Sequence, residues 1–288
     1  MPDVIILHWT QTIVFVKDVK KIYDTSKIVG IEEDVSVQAC LRKYENAKNA
    51  IHKIITRIRY DNIRKSERNA LSVCDLIILN NEKDLAILEK LNVNRPINIW
   101  STYYDRFKID RVTAQKTDIL FYGDMSRPEN YIPAIWLVDE VFPLIKDLGL
   151  NLVILGGHPP KELLEKATDR VVITGFVEDI SSYLASSLCL VAPLVLGAGI
   201  KVKVLTCMAA GIPVCTNDVG IEGIPAIKGK DYFYCKDKTE YADAVKQLFI
   251  NPQKAQNMAE SAQNLIEQKF NYKRSSRDFE RWLTELAR

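Results

Sequence analysis

Residues 188–222 read LCLVAPLVLGAGIKVKVLTCMAAGIPVCTNDVGIE, and the punctuation of this stretch decides the fold. Residues 188–191 are an apolar run short enough for a buried strand. Gly197 and Gly199 open a loop, and residues 200–210 have the length and spacing of a helix. Gly211 ends that helix, residues 212–216 make a second short strand, and Gly220 marks the next turn. A glycine turn ahead of a helix that begins at Lys201 and Lys203 has the chemistry of a phosphate site. Glycine lets the backbone come close, the helix N-terminus offers N–H groups and partial positive charge, and the two ammonium groups add full charges. A tight turn with two solvated lysines would be written with the same residues.

Working outward, residues 118–123, 151–155, 171–174, 213–216 and 232–235 join 188–191 as short apolar runs. Helical patterns at 131–146 and 161–167 separate several of them, and the chain turns helical to its end at 241–249, 252–270 and 275–286. Toward the N-terminus, residues 4–7, 27–31 and 74–79 read as strands, with a helical pattern at 13–23. Asn81 is an N-cap with Asp84 three residues on, opening a helix that runs through Leu91. Strand–helix alternation of this kind predicts an α/β fold with parallel sheets.

A chain of 288 residues predicts about two domains. We divide it into residues 1–110 and 117–288, with a linker at 108–117 and the ligand site in the cleft between the two. The hydrophobic fraction of 47% with 26% charged residues suits a globular chain with a real core, and a net charge of +2 excludes a polycation seeking nucleic acid. The six cysteines form no C-x-x-C pair and several fall in apolar segments, so they read as reduced thiols in a cytoplasmic protein. No apolar run approaches the ~18 residues of a membrane span.

Residues 41–69 carry an apolar stripe of Tyr44, Ala47, Ile51, Ile54, Ile55 and Ile58 at steps of three and four, among nine lysines and arginines. One reading is a basic amphipathic helix resting on an anionic membrane. The commoner arrangement, and the expectation, is a core-facing helix with a solvated basic face.

Three motifs in order carry a family resemblance. They are Phe121-Tyr122-Gly123-Asp124-Met125 with Pro128-Glu129-Asn130, then Gly175-Phe176-Val177-Glu178-Asp179-Ile180, then the run from Gly197 to Val214 with Val219-Gly220-Ile221-Glu222. Together they resemble the donor-site signature of family-4 retaining glycosyltransferases of the GT-B fold. The resemblance implies two Rossmann-like domains, the first incomplete here, and a last helix that returns to the first domain. It implies transfer of a sugar from a nucleoside-diphosphate sugar, with retention and no obligatory metal, to a polysaccharide or glycoconjugate. Lys201 and Lys203 would neutralise the departing diphosphate, beside the backbone of Gly197, Gly199 and Ile200. Gly123 would sit near the sugar or phosphate, and Gly175 and Val177 would line the base pocket. Asp34, in the Glu32-Glu33-Asp34 run that follows a strand, would be the catalytic carboxylate. A glycan or lipid-linked acceptor and peripheral contact with the inner face of the membrane complete the picture.

Two positions depart from the signature. Glu33 stands where many relatives have histidine, and Thr206 stands where a glutamate usually holds the ribose hydroxyls. A hydroxyl makes one ordinary hydrogen bond where a carboxylate accepts two charge-assisted ones. These departures leave a second expectation open, a non-catalytic glycosyltransferase-like binding or partner subunit. A third reading, a nicotinamide-dependent oxidoreductase, would use Gly197, Gly199 and Asp218; against it stand Val202 at the third glycine position, the motif's place at a late strand and its two lysines.

Overall fold

The computed structural model of the chain describes residues 1–47, 49–101, 104, 109, 111 and 114–288. The linker expected at 108–117 lies in part outside the described residues. The strands are β1 (Val4–His8), β2 (Lys27–Glu32), β3 (Leu76–Leu79), β4 (Ile97–Ile99), β5 (Asp118–Tyr122), β6 (Asn151–Leu155), β7 (Val171–Ile173), β8 (Ser187–Ala192), β9 (Val214–Thr216) and β10 (Phe233–Tyr234). The helices are α1 (Thr10–Ile13), α2 (Val16–Ile22), α3 (Ser36–Glu45), α4 (Ala50–Leu71), α5 (Lys83–Lys90) and α6 (Pro128–Trp136), then α7 (Lys161–Leu164), α8 (Ser181–Ser186), α9 (Val202–Ala209), α10 (Lys238–Ile250), α11 (Pro252–Lys269) and α12 (Tyr272–Ala287). They form two compact units. One comprises Met1–Tyr103, Leu196–Ile200 and Asn271–Arg288, the other Tyr104–Val195 and Lys201–Phe270.

The first unit holds a four-stranded parallel sheet in the order β1-β2-β3-β4. Its central strands β2 and β3 are mostly apolar because both their faces are covered. Ile28, Ile77 and Leu79 face one cluster with Ile13, Leu71 and Leu88, while Val29, Ile31, Leu76 and Ile78 face the other. Alternation along each strand sends neighbours to opposite faces. Phe279, Trp282, Leu283 and Leu286 of α12 cover the second face, and Trp100 stacks on Phe279 with ring centroids 4.6 Å apart.

The helical pattern at 13–23 resolves into α1 and α2, and the stretch 41–69 into α3 and α4. The second break falls where Asn49 leaves helical geometry and its side chain accepts the His52 N–H at 2.8 Å, an N-cap that restarts the helix. The expectation that the isoleucine stripe faces the core is corrected. Ile51, Ile54, Ile55 and Ile58 are 74%, 62%, 44% and 56% exposed. Thr56, Glu67, Ala70 and Leu71 are buried instead, with Tyr60 and Ile63 partly so. These positions also recur at steps of three and four, on roughly the opposite side of the helix.

The second unit holds a six-stranded parallel sheet in the order β10-β9-β8-β5-β6-β7. The chain moves outward from β5 to β7 on one side, then returns to β8 on the other. The order therefore reverses between β5 and β8, and the carboxyl ends of those two strands flank the place where open α/β sheets bind ligands. The helix predicted over 131–146 is regular only through α6. A wide π turn at Leu137–Val141 and short 3₁₀ turns at Phe142–Leu144 and Lys146–Leu148 follow it. All six cysteines are free thiols. Among the described residues, no helix is long and apolar enough to cross a membrane.

The ends of β5 and β6 approach closely. A methyl group on Gly156 would lie 1.7 Å from the Gly123 carbonyl oxygen, which is backbone and cannot rotate away. Gly156→Ala is therefore expected to cost at least about 1–3 kcal/mol, the usual range for overpacking. Chemical denaturation, with an unshifted midpoint as the contrary result, checks it.

Candidate functional site

At the switch point of the six-stranded sheet, the chain leaves β8 and enters α9 at Lys201, the N-cap residue. Lysine carries no acceptor, so its side chain cannot cap the first-turn amides, and an anion can. Lys201 Nζ lies 3.2 Å from Glu222 Oε2, and Glu222 is 8% exposed. Lys203, two residues into the same turn, donates from Nζ to Asn130 Oδ1 at 2.6 Å and stands 4.6 Å from the centre of the Phe121 ring. Burial is the main cause that pulls its pKa down to about 7, followed by the nearby positive charges of Lys201 and Arg127.

Asn130 in turn donates to the Asp124 carbonyl at 2.8 Å and stands against Gly123, where an added methyl would lie 2.8 Å from its side chain. Gly123 follows β5 directly. The turn after β5, Asn130 and Lys203 thus form one connected set of groups. Lys203 and Gly123 are brought together, with Asn130 as the intermediary.

Thr206 is 4% exposed. Its hydroxyl donates to the Val202 carbonyl at 2.8 Å and is hydrogen-bonded to the Tyr104 hydroxyl. A threonine has a single hydrogen to give, so Tyr104 must donate to Thr206. Gly175 has φ of +71° and receives the Gly156 N–H at its carbonyl, 3.1 Å away. Val177 is half-buried beside Phe176, which is 80% exposed. Gly175 and Val177 follow β7, three strand spacings from β8, roughly 14 Å.

In the first unit, Gly197 and Gly199 come together with Asp34. Arg42 donates to the Gly197 carbonyl. Gly199 has φ of +66°, and a methyl group there would meet Asp34 Cβ at 2.7 Å and the Glu33 carbonyl at 3.0 Å. Ile200 ends the same segment. Glu33 is paired with His8 of β1, Nε2 to Oε1 at 2.8 Å. His158, left-handed at φ +57° and well exposed, lies 3.7 Å from Asp124.

Sequence reasoning assigned no role to Asn130, Glu222, Tyr104 or His8. Glu222 lay inside the decisive stretch and Asn130 inside a quoted motif, yet nothing in spacing alone pairs them with lysines.

Residues 116–251 match the model of a family described as glycosyl transferases group 1. The chain is similar in structure to sucrose-phosphate synthase from Thermosynechococcus elongatus, with a TM-score of 0.78 at 15% identity over 99% of this chain and 73% of that one. It is also similar to the Anabaena protein HepE solved in complex with UDP, with a TM-score of 0.76 at 14% identity over 98% and 79% of the two chains. A curated relative, an uncharacterized 44.6 kDa protein in the cps region of Klebsiella pneumoniae, is 22% identical over 179 residues, 58% of this chain and 46% of that protein. The chain therefore spans less than half the length of that relative. At these identities the structural likeness shows the fold: an α/β protein of two parallel sheets that matches GT-B glycosyltransferase structures.

Proposed function

We propose that this chain transfers a sugar from a nucleoside-diphosphate sugar to a polysaccharide or glycoconjugate acceptor with retention of configuration. The observation that carries the reading is the lysine pair at the uncapped leading end of α9, beside the switch point of its sheet. Departure of the nucleotide concentrates negative charge on the diphosphate. Fixed cations and helix N–H groups stabilise that charge more than they stabilise the intact donor, which lowers the barrier. Lys203 is held by Asn130 and Lys201 by Glu222, so neither ammonium has to reorganise when the charge appears. Gly123 leaves room for the sugar or phosphate, and Gly197, Gly199 and Ile200 offer backbone. Gly175 and Val177 line the base pocket. Asp34 is the acceptor-side carboxylate of this scheme. The donor is the only small molecule required, and the acceptor is a glycan or lipid-linked saccharide, met in the cytoplasm at the inner face of the membrane.

One observation favours the second reading, a non-catalytic binding or partner subunit. The Thr206 hydroxyl is already occupied by Val202 and Tyr104, which leaves no carboxylate and no spare hydrogen for a ribose. Titration calorimetry with UDP-, GDP- and dTDP-sugars separates the two. Heat of binding with one donor class, weakened by Lys201→Ala, is the expected result. Silence with all of them favours the non-catalytic subunit.

A further inference from the structure

The hydrophobic effect puts isoleucine inside and threonine or glutamate outside, yet α4 does the reverse at several positions. Thr56 and Glu67 are buried on the sheet side, while Ile51, Ile54, Ile55 and Ile58 stand 74%, 62%, 44% and 56% exposed. Four isoleucines at steps of three, one and three form a continuous ridge along one side of the helix. Exposed cations flank it along the helix, Arg57 and Arg68 toward one side, Arg59 toward the other and Lys65 in line beyond it, while exposed Lys53 and Arg64 fall toward the far side. Asp61 is the one exposed carboxylate among the residues of α4, and it is bound to Arg57 at 2.9 Å.

We propose that this ridge docks the protein on an anionic lipid surface, with α4 lying in the plane of the interface. The charge argues for lipid over a protein partner. Interface cores are enriched in aromatic side chains and depleted of lysine, whereas this ridge is purely aliphatic and its margin is a belt of lysine and arginine. Aliphatic side chains that enter the headgroup layer, flanked by cations that meet phosphate, are what an interfacial helix needs. At 22 residues α4 is also long enough, roughly 33 Å, to lie across several headgroups. The inference deepens the peripheral location proposed above, but it rests on the surface of α4 and holds whether or not sugar transfer occurs.

The test is co-sedimentation of the whole chain with vesicles of phosphatidylcholine, alone or with phosphatidylglycerol at about one part in three. Binding to the anionic vesicles should exceed binding to neutral ones by about tenfold or more, and should fall as salt is raised. Ile54→Asp with Ile58→Asp should lower that binding by about tenfold or more, while circular dichroism, unfolding midpoint and donor calorimetry stay as in the parent chain, since both side chains are exposed. Equal binding to neutral and anionic vesicles overturns the proposal, and so does full retention of binding in the double variant. A chain that ignores vesicles but is dimeric in light scattering, and becomes monomeric on the double substitution, also overturns it and assigns the ridge to a protein contact.

Discussion

Under the proposed function, Lys203→Met is expected to lower donor-sugar turnover by roughly a hundredfold or more, without loss of thermal stability. The kinetic size follows from removing a fixed cation from a developing oxyanion, which typically costs about 10²–10³ in rate. The stability expectation follows from the lowered pKa. An unfolded lysine titrates near 10.5, whereas burial brings this one down to about 7. Between those values the unfolded chain binds more protons than the folded one, so stability rises with pH through that window and the buried ammonium is a cost below it. Methionine fills the same space with no charge to desolvate. The same shift sets a pH dependence for the donor. A diphosphate bound there would favour the charged form, so donor binding should take up a proton above pH ~7 and affinity should fall as pH rises from there. Asn130→Asp should move that decline to higher pH, because a carboxylate 2.6 Å from Nζ favours the ammonium where an amide oxygen does so weakly. Calorimetric affinity from pH 6 to 9 reads both effects. Unchanged turnover in Lys203→Met, or a flat affinity profile, removes Lys203 from the phosphate site.

The sheets were the legible part of this chain, and the reason lies in the residues themselves. A buried parallel strand is a short apolar run between breakers, and runs such as VIILH at β1 or DILFY at β5 carry that signal without knowledge of their neighbours. Helices gave up their presence more readily than their orientation. The sequence over α4 contains two helical stripes, an isoleucine one and a mixed one of Thr56, Tyr60, Ile63, Glu67 and Leu71. Hydrophobicity alone selects the wrong one. What settles the matter is remote, because Glu67 is needed inside to bind the backbone of residues 36 and 37. The candidate site divides in the same way. Lys201, Lys203 and the glycines were visible because they are adjacent in sequence. Their partners were not, since Asn130 lies 73 residues from Lys203 and Tyr104 lies 102 residues from Thr206. Hydrogen-bond pairing over such separations leaves no periodic trace.

Glu67 and Glu32 form the other buried charge problem, and it makes the second large prediction. The Glu67 carboxylate accepts the N–H groups of Ser36 at 2.8 Å and Val37 at 3.0 Å, so it caps the start of α3 from across the fold. Thr10 Oγ1 lies 3.0 Å from Glu67, 2.7 Å from Glu32 and 2.8 Å from Ser36 Oγ. One hydroxyl has one hydrogen and two lone pairs. With its hydrogen given to Glu67, Thr10 can bond to Glu32 only if Glu32 brings a proton of its own. The pKa directions agree: burial, then the neighbouring Glu67, lifts Glu32 to about 9, and burial lifts Glu67 to about 7 against the pull of its backbone donors. Both folded values exceed the ordinary carboxylate range near 4.5, so the pair's contribution is complete below that range and is lost as pH rises through about 7 and then 9. Glu67→Ala orphans two backbone amides and takes one of three partners from the Thr10 hydroxyl, and it should cost on the order of 3 kcal/mol. Glu32→Gln keeps the shape without the titration. Its unfolding midpoint should therefore gain on the parent's as pH rises from 6 to 9, since the titrations of Glu67 and Lys203 remain in both proteins. Parallel curves for the two proteins would mean that Glu32 is not the proton carrier. Glu32 directly precedes Glu33 and Asp34, and Asp34 adds to the repulsion on both buried acids. Ionising the pair in alkali therefore strains the loop that carries the proposed acceptor-side carboxylate, and acceptor-dependent turnover should fail at a lower pH than global unfolding does.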